Sequence, residues 1–159
     1  MARTTLSSLV SFLVVLLLIA TTSKAASFKL INNGTWAKNF PGIGRPPLFT
    51  TVSVDDNFAS VYERWEVETF EEGVRIRNDG TGFWLTARNG EVGGSSEFDP
   101  AASKWFIEGG GEGKFKISVP NEDLVMTTDR GQPDSLVTLF LRPADGSPAQ
   151  LWSFESIRE

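Results

Sequence analysis

Arg64-Trp65-Glu66-Val67-Glu68, Lys104-Trp105-Phe106-Ile107-Glu108 and Leu151-Trp152-Ser153-Phe154-Glu155 follow one pattern. In each, an apolar residue stands two places after the Trp and a Glu stands three places after it. Alternation of this kind belongs to a strand with one buried and one wet face. A pattern that returns at wide, similar spacing points to a structural repeat. Trp65, Trp105 and Trp152 therefore read as core residues, with stacking on a sugar as the functional alternative. Trp36 and Trp84 follow the first hairpin turn of their repeats, and the sequence leaves their exposure open.

The segments also begin alike. Phe28-Lys29-Leu30-Ile31, Val74-Arg75-Ile76-Arg77 and Phe115-Lys116-Ile117-Ser118 alternate apolar and mostly polar residues. Asn32-Asn33-Gly34 and Asn78-Asp79-Gly80 then supply turn chemistry, since Asn and Gly tolerate positive φ. Asn121-Glu122-Asp123 holds the matching place in the third repeat without a Gly. The repeats span roughly 27–69, 72–108 and 112–156. A unit of about 40–45 residues has room for four strands at the 8–12-residue spacing of all-β domains. In the first repeat these are expected near 27–32, 35–40, 48–54 and 63–69. Three such units closing around an axis, with about twelve short strands in all, make a β-trefoil. Three blades would not close a propeller.

Composition narrows the function. The chain has 159 residues, no Cys, no His and a net charge of −5. There can be no disulfide, thiolate nucleophile, Ser-His-Asp triad or common zinc site. No cofactor is implied, and no stretch has the alternating acidic loop of a calcium site. The adjacent carboxylates Asp55-Asp56, Glu71-Glu72 and Glu122-Asp123 read as solvated turns, so catalysis is not expected. An acidic chain lacks the basic stripe of a nucleic-acid binder. Arg3 followed by the apolar run Leu9–Ala20 has the form of a secretory leader, and the run is too short to span a bilayer. Cleavage after Ala25 is expected, leaving residues 26–159 as one secreted, monomeric domain without a membrane anchor. Asn33-Gly34-Thr35 matches the N-glycosylation acceptor pattern.

The sequence resembles the fungal (mushroom) β-trefoil serine-protease inhibitors. The resemblance rests on Gly42-Ile43-Gly44-Arg45-Pro46-Pro47, Arg64-Trp65-Glu66-Val67-Glu68, Val119-Pro120-Asn121-Glu122-Asp123-Leu124 and the stretch from Leu141 to Trp152. It implies that a loop between the second and third strands, here Pro41–Pro47, enters the active site of a trypsin-like serine endopeptidase. Such a loop binds well when it is already stiff, because little entropy is then lost. Arg45, between Gly44 and Pro46-Pro47, is the first choice for the specificity pocket. Arg130, followed by Gly131, is second, and Arg88 third. The rival reading is a carbohydrate-binding lectin. Ricin-type trefoils carry Gln-x-Trp near each repeat end, and Gln150-Leu151-Trp152 alone matches, against Glu63-Arg64-Trp65 and Ser103-Lys104-Trp105.

Overall fold

The computed structural model describes residues 26–40, 49–55, 60–129 and 137–157. Each repeat contributes four strands. The first holds β1 (Ala26–Asn32), β2 (Thr35–Asn39), β3 (Phe49–Asp55) and β4 (Trp65–Phe70). The second holds β5 (Gly73–Asn78), β6 (Trp84–Arg88), β7 (Glu91–Ser95) and β8 (Lys104–Gly111). The third holds β9 (Lys114–Ser118), β10 (Leu124–Asp129), β11 (Val137–Pro143) and β12 (Ser153–Ser156). The expected boundaries in the first repeat agree to within two residues.

Outer strands make the barrel. The order β1, β4, β5, β8, β9 is antiparallel throughout. β12 then pairs with β1, and a bridge between Phe115 and Trp152 joins it to β9, which closes the ring. The remaining strands form hairpins β2–β3, β6–β7 and β10–β11. These close among themselves, since β3 pairs β7, β7 pairs β11 and β11 pairs β3. The fold is a β-trefoil, a barrel with a triangular hairpin cap.

The repeated sequence features explain this closure. Phe28 and Leu30, Val74 and Ile76, and Phe115 and Ile117 point inward from the first strands of the repeats. Trp65, Trp105 and Trp152 are fully buried at 0% exposure, which makes them core residues. Each indole N–H donates to a carbonyl on the second strand of its own repeat: Ala37 (2.9 Å), Leu85 (2.9 Å) and Met126 (3.0 Å). The recurring Glu has an equally regular place. Glu68 lies opposite Arg75, Glu108 opposite Lys116, and Glu155 opposite Lys29. Each repeat thus ends on a carboxylate that faces the cation of the next repeat's first strand, a favourable cross-strand pairing that supports the register.

The turns divide. Asn33 and Gly34 adopt φ of 49° and 78°, the left-handed pair of a two-residue hairpin. Asn121 supplies φ 61° unaided, which is why the third repeat does without Gly. The Asn78-Asp79-Gly80 turn departs from the tight hairpin expected. The Asn78 side chain accepts the N–H groups of Gly80 and Thr81, and positive φ appears later, at Gly82 (72°).

Trp105→Ala is expected to lower unfolding free energy by about 3–5 kcal/mol, through the cavity and the orphaned Leu85 carbonyl. Urea denaturation checks this; a loss below about 1 kcal/mol would contradict the core role.

Candidate functional site

The residue two places before each buried Trp meets the residue after that Trp's carbonyl partner. In the third repeat this is Gln150, fully buried. Its amide donates to the carbonyl of Pro143 (2.8 Å) and to Thr127 Oγ1 (3.3 Å), and its oxygen accepts the N–H groups of Asp145 and Gly146. The Gln of the lectin-like motif therefore braces the loop after β11. Ser103 fills the place in the second repeat, 2.8 Å from Thr86 Oγ1. In the first repeat the place is ionic. Glu63 lies 3.8 Å from the Lys38 ammonium, both almost fully buried, and 3.2 Å from the Lys29 ammonium.

The outer wall carries a different group. Lys29 lies over Trp36 in the first repeat, and Arg75 lies over Trp84 at the equivalent place in the second. The third repeat has Lys116 and Val125 there. Around Trp84 the group is enlarged. Phe70 ends β4 and Phe98 follows β7, with ring centroids 5.0 Å apart, and Phe98 lies 5.0 Å from Trp84. Arg75 sits 5.1–5.8 Å from all three rings, while its Nε–H donates to Glu68 at 2.6 Å. Gly73, at the start of β5, lets β8 approach closely, because a Cβ there would meet the Trp105 carbonyl oxygen at 2.5 Å. Glu68 and Arg75 keep 30% and 35% of their side chains exposed, and the three rings are half-buried. Below them Lys104 donates to Glu71 (2.8 Å) and Glu72 (2.7 Å). Those bonds, first Glu71's and then Glu72's, hold the Lys104 ammonium above its ordinary range. The same Lys104 contact holds the Glu72 carboxyl below the usual carboxylate range. Aromatic faces beside a carboxylate and a guanidinium are the components of a polar-ring binding site.

The leader 1–25, Gly44, Arg45, Pro46 and Pro47, and Arg130 and Gly131 all lie outside the described residues. Arg88 ends β6 beside the two-residue turn Asn89-Gly90, directly before the returning strand β7. That hairpin is too tight to act as a substrate-like loop. Asn33 is exposed at the β1–β2 turn. Sequence reasoning missed Phe70 and Phe98; the available signal was two bulky aromatics flanking turns, outside the core alternation. Among the described residues no group of His, Cys, Asp and Glu could hold a metal ion.

No protein-family model matches the chain, and no curated protein is significantly similar in sequence. Solved structures are similar in fold. The Rhizoctonia solani agglutinin superposes with a TM-score of 0.69 at 17% identity, covering 86% of this chain and 98% of its own. A Macrolepiota procera ricin B-like lectin, solved with lactose, gives 0.65 at 15% identity, covering 84% and 97%. A mosquitocidal holotoxin gives 0.72 at 17% identity over 86% of this chain, which spans 18% of the toxin's length. At these identities the likeness is one of fold, the β-trefoil.

Glu63→Leu should destabilise the protein by about 3–5 kcal/mol, because it removes the buried carboxylate that both the Lys38 and the Lys29 ammonium groups face. Thermal or urea unfolding measures this, and wild-type stability would show the buried pair to be dispensable.

Proposed function

We propose that this protein binds glycans through the aromatic wall at the junction of its first and second repeats. The observation that carries the reading is the half-buried group of Phe70, Trp84 and Phe98 around the Arg75–Glu68 pair. A pyranose ring offers C–H faces to aromatic rings and hydroxyls to charged side chains, and this wall supplies both partners within one patch. The structural neighbours named as an agglutinin and a ricin B-like lectin support the reading. The mature chain, residues 26–159, is expected to bind in the extracellular space. A labelled sample applied to a broad glycan array should be retained, and Trp84→Ala should weaken binding about tenfold, the weight of one aromatic contact. If no glycan retains the protein, the reading is wrong.

Inhibition of a trypsin-like serine endopeptidase is a second reading, and one observation favours it. The cap hairpin β6–β7 closes with a two-residue turn, whereas β2–β3 and β10–β11 are joined by the longer segments that contain Gly44-Arg45-Pro46-Pro47 and Arg130-Gly131. The two basic candidates thus fall on the connections long enough to present a substrate-like loop. Titration into trypsin, chymotrypsin and subtilisin tests this. Loss of trypsin activity, relieved in Arg45→Ala or Arg130→Ala, is the expected result. Full activity of all three enzymes at micromolar excess would remove the reading.

A further inference from the structure

Arg75 and Arg77 occupy one face of β5 and converge on a single ring: Trp84 lies 5.1 Å from the first guanidinium and 5.5 Å from the second. Arg77 is the cross-strand partner of Trp84, so the backbone itself sets the second contact. Both guanidiniums are tied to the protein through Nε, Arg75 to Glu68 Oε2 at 2.6 Å and Arg77 to the Gly82 carbonyl at 2.9 Å. Among the described residues, no side chain or carbonyl takes a hydrogen bond from the terminal Nη groups of either arginine. A guanidinium fixed at Nε and stacked on an indole has lost most of its rotamer freedom. Its Nη groups then form a preorganised fork whose geometry matches a carboxylate.

The neighbouring charges leave this fork usable. Glu71 and Glu72 are both engaged by Lys104, and Glu68 is engaged by Arg75. Glu66 is the cross-strand partner of Arg77, and Glu97 is exposed beside Phe98. Arg77 is exposed, with no carboxylate within ion-pair distance among the described residues.

Resting on the glycan reading above, we infer that this wall selects acidic sugars. The carboxylate of a sialic or uronic acid residue accepts from the Nη groups of Arg75 and Arg77, and its pyranose ring packs against the edge formed by Trp84 and Phe98. Glu68 competes with the incoming carboxylate for Arg75 and so limits affinity. That gives the proposal a sign that a neutral-sugar site does not share. Removing the Glu68 charge strengthens binding of an acidic sugar, whereas it weakens binding of a neutral one that relies on Glu68 as acceptor.

Calorimetric titration of the mature protein at low salt with 6′-sialyllactose, a glucuronate-terminated disaccharide and lactose tests this. At least one acidic probe should bind about tenfold more tightly than lactose, and which one does so identifies the acid. That affinity should fall with added salt. Arg77→Ala should lose about tenfold, and Arg77→Lys, which keeps the charge without the fork, should not restore it. Glu68→Gln should tighten the acidic probe. Lactose binding as tight as the acidic probes, or weaker acidic binding in Glu68→Gln, overturns the selectivity while leaving a glycan-binding protein. Binding of no saccharide at all overturns both.

Discussion

One hydrogen bond, made three times, organises the scaffold: a buried indole N–H is given to a carbonyl on the second strand of the same repeat. Each Trp spans the barrel wall and the base of its hairpin, beside the polar pair that links the same two layers two residues earlier. An indole buried in an apolar core without a partner would cost on the order of 1–3 kcal/mol, so the bond also fixes which carbonyl the ring can approach. The residues on either side inherit their positions from it. The buried polar pairs stand two residues before the Trp, and the barrel-closing carboxylates stand three residues after it.

The three repeats keep the Trp and vary what surrounds it. Beneath the cap, the same place holds an amide with a hydroxyl, two hydroxyls, or a carboxylate with ammonium groups. All satisfy one geometric need with different chemistry, which is why the Gln-x-Trp pattern is visible in one repeat although all three are built alike. On the outer wall, divergence works differently. Trp36 and Trp84 share a place and a cation, but only Trp84 gathers Phe70 and Phe98 around it. The scaffold gives three equivalent positions, and the second has been elaborated into an aromatic surface.

Much of this is legible in the sequence. Alternation in Phe28–Ile31 and its two counterparts marked the inward residues, and the Trp–apolar–Glu pattern marked the closing strands. The Glu of that pattern was visible without its meaning, because a strand's own periodicity does not identify its cross-strand partner. Glu155 and Lys29 meet only when the ring closes. The Asn78 turn departs from the expected hairpin because its side chain, rather than a left-handed backbone pair, satisfies the N–H groups that follow. Phe70 and Phe98 lie on different strands and loops, so their meeting at Arg75 depends on tertiary packing that local pattern does not encode.

The pairing of β1 with β12 has a topological consequence. Phe28 faces Ser156 across a hydrogen-bonded ladder, so the two terminal strands are neighbours and the wall has no unique seam. A short linker could join them, and new ends could be cut at an exposed bend such as Glu112-Gly113, with every pairing conserved. Chain order is thus a convenience of this architecture, and circularly permuted versions should reach the same shape.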